Sequence, residues 1–449
     1  MLLAVLAAGC SSQRPFLSPE REFIPPATWS VPLPAAGDAL DAAWWATFGD
    51  PLLPRLISAA LDNSTGIGLS KANLQEARAL RNQAAAGLLP AVSGSLDAQR
   101  SSRSSAPPRL FTANLDASWE VDLFGSARHG VAAQDALVRA TAADLASARV
   151  SVAAEVALAY LDLRSAQARA AIASENLASQ EQTLQIARWR EQAGLASSLD
   201  VEQATATVEQ TRAEIPALEA SAAISIHAIG VLTGQPPAAL LDALTPALGV
   251  PTLSAVRVEP PARTLVRRPD VLAAEERLQS AAQLAAQADA DRAPSFTLTA
   301  SAAWQSLTLG SLGSIAAARS IVASLTAPLF DGGLRDARLA QRQAQLEAAR
   351  QQYRATLLAA LQEVEDALVS VQADRSRLAA LRKSQEAARN ASILATQRYQ
   401  GGVIDFLTVL ETQRTLLTVQ DGVAVAQARL AQDQVRLFKA LGGGAGIPS

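Results

Sequence analysis

The sequence has few of the residues from which catalytic and metal sites are built. Its 449 residues include one cysteine, one methionine and two histidines. The histidines, His129 and His227, fall on separate predicted helices without the spacing of metal ligands, and the chain has no glycine-rich phosphate loop or nucleophile motif. We therefore expect no enzymatic activity and no metal or cofactor site.

An excess of charge of one sign is also missing. The chain has 39 Lys and Arg residues against 42 Asp and Glu residues, a formal net charge of -3, which gives no electrostatic reason to expect nucleic acid as a partner. Aromatic residues make up 4% of the chain, and 22 prolines and 24 glycines interrupt it, while hydrophobic residues, many of them alanine, reach 49%. This composition predicts long, closely packed helices.

Long uncharged apolar runs are absent from the sequence after its N-terminus. No later segment approaches the ~18 uncharged apolar residues that a transmembrane helix requires. We therefore expect no transmembrane helix. If the chain crosses a membrane, it does so with strands.

The single cysteine, Cys10, follows a short apolar run. Residues 1–9 close on small residues, as the end of a secretory signal does, and the run followed by cysteine resembles a bacterial lipobox. This pattern predicts a signal peptide remnant at 1–9, which would begin upstream because no Lys or Arg precedes it, and lipidation of Cys10. The alternative is an apolar N-terminus with a free thiol. Proline-rich residues 10–50 would form a lipidated, extended tether.

Four segments alternate between apolar and polar residues, as strands with one apolar face do. In the clearest, Phe111 and every second residue to Val121 are apolar, while the residues between them are polar or charged. Its predicted hairpin partner begins at Val92, and Trp119 is a candidate anchor at a membrane interface. The four predicted strands are ~92–100, ~110–123, ~295–308 and ~319–330.

Two of these strands turn at glycines, Gly125 and Gly332-Gly333, into very long helical patterns. The first would be roughly 100 Å long at ~1.5 Å per residue, which exceeds the span of a compact domain. Each long helix reverses at a glycine turn, and we expect Asp200 to cap the first returning helix. The predicted long helices are ~125–193, ~200–233, ~334–399 and ~405–441.

The second half of the chain repeats the first. Equivalent residues are separated by 208 positions: Val156 and Val364, Gly194 and Gly402, Val201 and Val409. We therefore divide the chain into a first repeat at 51–250 and a second at 251–441, each with short helices, two strands and two long helices, followed by a flexible tail at 442–449. A simple coiled coil would not need the strands.

Four strands are too few to close a barrel around a channel, and an open sheet edge cannot face lipid. Several chains must therefore contribute strands to one barrel. Three chains would supply twelve strands, with the apolar faces toward lipid and the polar faces toward water.

The order and spacing of several short motifs resemble the TolC-type outer-membrane efflux channel family, specifically its lipoprotein branch. The motifs span about 400 of the 449 residues. They are the Cys10 lipobox, Trp44-Trp45 with Phe48-Gly49-Asp50-Pro51, Asp122-Leu123-Phe124-Gly125, Arg267-Arg268-Pro269-Asp270, Phe330-Asp331-Gly332-Gly333, and Arg398-Tyr399 with Gly402. The resemblance implies a mainly α fold with membrane β: a trimeric twelve-stranded transmembrane β-barrel, four strands per chain, that continues into a long periplasmic α-helical barrel.

The resemblance also implies a function and partners. The chain would be the outer-membrane channel of a tripartite efflux pump, a passive, gated exit duct for small molecules such as drugs. Its partners would be two further copies in a homotrimer, a periplasmic adaptor protein, an inner-membrane RND-type transporter and outer-membrane lipid. It would be anchored in the bacterial outer membrane at Cys10 and extend into the periplasm.

By the same resemblance, a periplasmic gate would lie near the two helical turns, with Leu407 as a hydrophobic constriction and Glu411 as an acidic ring. The gate set is Leu407, Glu411, Arg414, Asp200, Arg398 and Tyr399. The adaptor-contact set is Gly194, Leu195, Gly401, Gly402 and Val403. The alternative is that the charges are solvated side chains at helix ends and that the glycines are helix C-caps.

Two other functions fit parts of the sequence. A type I protein-secretion channel shares the fold, although the lipobox and Arg268-Pro269-Asp270 favour the efflux branch by resemblance. A periplasmic adaptor or coiled-coil scaffold lipoprotein also has an anchor and a helical hairpin. Adaptors carry one hairpin and no lipid-facing strands, whereas this chain has two long hairpins and four strands.

Overall fold

The computed structural model describes residues 25–31, 43–100, 109–251, 261–309 and 318–443. The signal remnant, Cys10, most of the tether and most of the C-terminal tail lie outside the described residues. The helices are α1 (Leu52–Asn63), α2 (Thr65–Ala86), α3 (Ser126–Gln192), α4 (Ser198–Leu232), α5 (Leu241–Leu244), α6 (Pro261–Arg267), α7 (Pro269–Ala290), α8 (Leu334–Gln400) and α9 (Phe406–Ala440). The strands are β1 (Ala91–Arg100), β2 (Arg109–Val121), β3 (Ser295–Ser306) and β4 (Ala318–Thr326).

The four strands form one antiparallel sheet in the order β1-β2-β3-β4. The predicted hairpin is confirmed, because all of β1 pairs with residues 109–118 of β2. The register keeps the two faces distinct: Trp119 lies opposite Leu298 on the apolar face, and Asp116 lies opposite Ser301 on the polar face. The described strands β1 and β4 are the two edges of this sheet.

The fourth strand is shorter than the sequence pattern predicts. It ends at Thr326 instead of near residue 330, because Pro328 has no N–H to donate to the strand ladder. Leu329 and Phe330, which continue the alternation, are 97% and 92% exposed. The second strand likewise ends at Val121, where the Leu123 N–H turns back to the Val121 carbonyl at 2.8 Å.

Among the described residues one helix, α4, is long and apolar enough to cross a membrane by length and composition. An 18-residue window in it has a mean hydropathy of 1.6, and 17% of that window is buried. The expectation that no later segment would reach this composition was wrong. The stretch 215–232 has Glu219 as its only Asp, Glu, Lys or Arg residue.

The described chain divides into two compact units, and the first contains the sheet. In this unit α3 is joined to α2 by the ion pair between Arg81 and Asp135 at 2.8 Å, and to α7 by that between Arg139 and Glu276 at 2.9 Å. The Trp119 indole donates a hydrogen bond to the Leu88 carbonyl at 2.9 Å, which fixes the ring near the start of β1.

The second unit contains most of the long helices and the largest apolar core. Its aromatic centre is Trp44, which stacks on Phe438 of α9 with the ring centroids 4.8 Å apart. Arg268 also lies in this unit, where its guanidinium donates to the Ala440 carbonyl at 2.6 Å and to Glu363 at 2.7 Å. These bonds satisfy an unpaired carbonyl at the end of α9.

A fully buried arginine, Arg164, links α3 to distant parts of the chain in the second unit. Its guanidinium donates to the Pro246 carbonyl and the Tyr160 hydroxyl, each at 2.9 Å, and to Gln167 at 2.6 Å. The Tyr160 hydroxyl in turn donates to Asp50. Burial, together with the bond to Asp50, raises the pKa of Tyr160, so the phenol stays neutral as a donor.

We predict that Arg164→Met lowers the free energy of unfolding by about 3 kcal/mol, because it leaves the Tyr160 hydroxyl and the Gln167 side-chain oxygen buried without their donor. Thermal loss of the helical circular dichroism signal of the purified protein measures the effect. Arg188→Met, the same change at an exposed position of α3, is the matched control. Equal melting temperatures for the two variants would contradict the role of Arg164.

Candidate functional site

The two long hairpins reverse direction through turns of the same construction. Gly194 and Gly402 adopt the left-handed conformation, with φ of 70° and 73°, that ends a helix most readily with glycine. The next N–H group closes each turn: Leu195 donates to the Arg190 carbonyl at 2.7 Å, and Val403 to the Arg398 carbonyl at 2.9 Å. The two glycines, the two N–H donors and the two carbonyl acceptors are each 208 positions apart, which supports the predicted repeat.

The helices that leave the turns begin with side-chain caps, and the first differs from the prediction. Ser197 is the N-cap of α4, and Asp200 is three positions inside the helix. The two form a capping box, in which Ser197 Oγ accepts from the Asp200 N–H at 3.3 Å and Asp200 accepts from the Ser197 N–H at 3.0 Å. In α9 the N-cap is Asp405, and hydrogen bonds from Thr408 lower the pKa of its carboxyl group.

Tyr399, a predicted gate residue, lies buried at the end of α8 instead of facing solvent. Its ring packs against Phe406, with centroids 5.2 Å apart, and the Arg190 guanidinium lies 4.5 Å from the ring centroid. Arg190 also donates to the Tyr399 carbonyl at 2.9 Å. Burial raises the pKa of Tyr399; the Arg190 charge opposes this shift and the Asp200 charge adds to it.

Arg190 and Phe406 were missed by the sequence reasoning, although one signal for Arg190 was present. Arg190 and Arg398 are equivalent residues of the two repeats, 208 positions apart, and only Arg398 was selected. Arg190 joins the end of α3 to the end of α8, whereas the Arg398 guanidinium forms no ion pair with any described residue.

The other predicted gate residues share one face of α9. Leu407, Glu411 and Arg414 follow one another at helical spacing, and all three are exposed in one chain. The opposite face, with Phe406, Val409, Leu410 and Gln413, is buried. The arrangement therefore separates an exposed face from a face that packs within the chain.

Two hydrogen bonds hold this part of α9 against the first hairpin. The Gln413 amide donates to Thr183 of α3 at 2.8 Å, and the Arg414 guanidinium donates to Thr207 of α4 at 2.9 Å. Thr183 and Thr207 are buried. Any movement of the exposed face of α9 away from the first hairpin must break these two bonds.

The predicted adaptor-contact residues lie at the extreme ends of the hairpins. Leu195 and Val403 are exposed apolar side chains at equivalent positions of the two turns. Gly194 and Gly402 form the helix ends described above, and the Gly401 N–H bonds back to the Gln397 carbonyl at 3.1 Å. The glycines thus have the predicted structural role as helix ends, and each turn also presents one apolar side chain.

At the first strand-to-helix junction an aspartate organises the backbone. The Asp122 carboxylate accepts from the Gly125 N–H at 2.8 Å and from the Arg128 N–H and side chain at 2.9 and 3.0 Å. Burial opposes ionisation of this carboxyl group, but the bonds from Arg128 and Gly125 outweigh burial and lower its pKa. Gly125 takes a φ of 91°, and the chain changes from strand to helix at this glycine, as predicted.

The second junction uses the same device. Asp331 accepts from the Gly333 N–H at 2.9 Å and from the Arg335 N–H at 3.2 Å. Gly333 has a φ of 86°, close to that of Gly125. Both junctions therefore combine an aspartate, a left-handed glycine and an arginine in the first turn of a long helix.

Comparison with known proteins agrees with this architecture. The family model described as outer membrane efflux protein matches residues 56–235 and 261–443, which fall in the two repeats. The pyoverdine export outer membrane protein OpmQ of Pseudomonas aeruginosa is 33% identical over 93% of this chain and 91% of its own length. The toluene efflux pump outer membrane protein TtgF of Pseudomonas putida is 32% identical over 89% of this chain and 85% of its own length.

Solved structures give the same result. The outer-membrane channel OprN is 32% identical, with a TM-score of 0.88 over 96% of this chain and 99% of that chain. The outer membrane protein VceC of Vibrio cholerae is 29% identical, with a TM-score of 0.82 over 90% of this chain and 99% of that chain. The chain therefore belongs to the outer membrane efflux protein family and has the fold of the TolC-type outer-membrane channels.

Proposed function

We propose that three copies of the chain form the gated exit duct of a tripartite efflux pump, together with a periplasmic adaptor and an inner-membrane RND-type transporter. The sheet carries this proposal. It has one apolar face and ends on β1 and β4, and open edges of this kind cannot face lipid. Three copies would supply twelve strands and pair each β4 with the β1 of a neighbour.

The exported compounds would be small molecules. Two relatives are named for the export of different compounds, pyoverdine and toluene. Such a range fits a duct that conducts passively and leaves substrate choice to the inner-membrane transporter. The relatives and the four-stranded sheet support this function over an adaptor or scaffold lipoprotein.

The gate of this duct would be the exposed face of α9. Three copies of Leu407 would form a hydrophobic constriction, and three of Glu411 an acidic ring. Arg414 would hold the face closed through Thr207, while Arg190 and Tyr399 would keep the ends of α3 and α8 together. Asp200 and Arg398 remain candidate latch residues, with Asp200 also forming the capping box of α4 with Ser197.

The hairpin turns would bind the adaptor. Leu195 and Val403 are exposed apolar side chains on backbone that Gly194, Gly401 and Gly402 turn tightly. Repeated around three copies, the two turns would offer six similar apolar contacts to a ring of adaptor hairpins. The lipid anchor at Cys10 would fix the chain to the outer membrane independently of the sheet.

We predict that Arg414→Ala and Thr207→Val each raise the single-channel conductance of the purified channel in planar bilayers, because each removes the bond between α9 and α4. Since both act on one bond, the double variant should conduct no more than the stronger single variant. Arg429→Ala, at an exposed position further along α9, is the control and should leave conductance unchanged. Unaltered conductance in both Arg414→Ala and Thr207→Val would refute this gate contact.

We predict that the chain incorporates labelled palmitate in cells and that Cys10→Ser abolishes the label. The variant should still form channels, because the strands cross the membrane without the anchor. Metabolic labelling followed by immunoprecipitation measures the first effect, and bilayer conductance measures the second. A wild-type chain that takes up no palmitate would exclude the lipid anchor.

A further inference from the structure

The first compact unit contains a cavity where the sheet meets the long helices. Its volume is about 530 Å³, which is within the range of small-molecule sites. The lining comes from the end of β2 and the residues that follow it, the end of α7, the start of β3 and the first turns of α8. Two of the lining residues, Glu120 and Ser295, lie on the polar face of the sheet.

Hydrogen bonds and an ion pair join the helices that surround this cavity. Asp291, just after α7, accepts from the Ser126 hydroxyl of α3, and its backbone carbonyl accepts from the Arg335 guanidinium of α8. Arg292 pairs with Asp336 of α8 at 3.1 Å. The walls are therefore fixed within one chain before any ligand binds, which lowers the entropy cost of binding.

One wall of the cavity carries several positive charges. Arg335, Arg338 and Arg342 line it, at the i, i+3 and i+7 spacing of one face of α8. The Arg335 guanidinium lies 3.8 Å from the Asp331 carboxylate. Arg338 and Arg342 form no ion pair with any residue in the described part of the chain, and Arg342 donates one hydrogen bond, to Gln345 at 2.9 Å.

The charges of Arg338 and Arg342 are not balanced by the acidic residues of the lining. The two arginines lie one helical turn apart, so they repel each other and disfavour the helix. Asp122 and Asp291 already accept hydrogen bonds from their neighbours. Among the described lining residues, Glu120 is the one acidic side chain with no hydrogen bond or ion pair. Two guanidinium groups therefore face one free carboxylate.

The internal repeat shows that the fold does not require this pair of arginines. The two strand-to-helix junctions are equivalent under a shift of 208 positions. The same shift carries Arg338 and Arg342 onto Gly130 and Gln134, which are uncharged. A long helix can therefore leave the sheet without charges at these positions, so the pair at the second junction serves a requirement other than folding.

We propose that this cavity binds a small organic anion, through a carboxylate or phosphate group held by Arg338 and Arg342. A guanidinium group presents a planar fork of N–H donors that pairs with two oxygens of such a group. In the proposed trimer the polar face of the sheet borders the water of the duct, so the ligand is a dissolved solute that passes through it. The inference rests on the proposed function for this route, whereas the site itself lies within one chain.

A neighbouring copy would not supply the missing negative charge. In the proposed trimer β4 pairs with the β1 of the next copy, so the start of α8 would lie beside the end of that copy's α2. Residues 77–96, which cover the end of α2, the turn after it and the first part of β1, contain Arg78 and Arg81 and no Asp or Glu. An anion from solution is therefore the partner that the two charges favour.

Tricarballylate, a small tricarboxylate, is the probe for this site. In the protein purified in a mild, phosphate-free detergent, about 20 mM tricarballylate should raise the melting temperature by roughly 3 °C over KCl of equal ionic strength. Arg338→Gln combined with Arg342→Gln should lose most of this rise. Arg350→Gln combined with Arg354→Gln, the same spacing further along α8, is the matched control and should keep it. No rise in the wild-type chain, or an equal rise in the Arg338 and Arg342 variant, would overturn the site.

Glu120 provides a test in the opposite direction. Its carboxylate lines the same cavity and repels an anion, so Glu120→Gln should lower the half-saturating concentration of tricarballylate by roughly threefold. Asp116→Asn is the matched control, because Asp116 is a carboxylate on the same polar face of β2 but outside the lining. An unchanged half-saturating concentration in Glu120→Gln would contradict the placement of the anion in this cavity.

Lipid nanodiscs distinguish a dissolved anion from a lipid headgroup. Tricarballylate should raise the melting temperature in nanodiscs of phosphatidylcholine and in nanodiscs of phosphatidylglycerol, because the site borders the duct. A rise that phosphatidylglycerol abolishes would assign the arginines to a lipid headgroup and overturn the dissolved ligand. Conductance in planar bilayers separates this inference from the proposed function: a chain that binds tricarballylate but does not conduct would overturn the function and leave the site.

Discussion

An open sheet edge cannot be exposed to lipid, and the rest of this structure depends on that constraint. The four strands pair with one another and stop, which leaves β1 and β4 as edges of a sheet that has an apolar face. In the proposed trimer, a chain built in this way is one part of a closed wall.

Glycine and aspartate make the change from sheet to long helix possible. At both junctions the backbone takes a left-handed conformation, which Gly125 and Gly333 adopt at little cost. Asp122 and Asp331 then pair with the N–H groups that the first turn leaves unsatisfied. The same device at both junctions is a further sign of the internal repeat.

The polar contacts between α3 and α9 fix the register of these two helices. In helices rich in alanine, sliding by one turn changes apolar burial little, so apolar packing alone specifies register weakly. Bonds such as those between Asn176 and Gln420 and between Thr183 and Gln413 are lost on sliding, and three of the four residues are buried. Polar pairs at such positions lower stability somewhat in exchange for a single alignment.

Local periodicity made most of the fold predictable. The two-residue alternation around Phe111 identified β2, and the offset of 208 positions identified the repeat. The errors have equally local causes: Pro328 ends β4 early, and Ser197 takes the cap position expected for Asp200. Arg164 and Arg190 were not predicted because their partners lie far away in the sequence, where no local pattern indicates them.

The mass of the native assembly tests the central claim most directly. Native mass spectrometry of the protein released from outer membranes in mild detergent should show three copies, about 140 kDa from chains of 46.7 kDa, with no conducting species of lower mass. Single chains that conduct in planar bilayers would contradict the account, because a sheet with two open edges would then be sufficient in lipid.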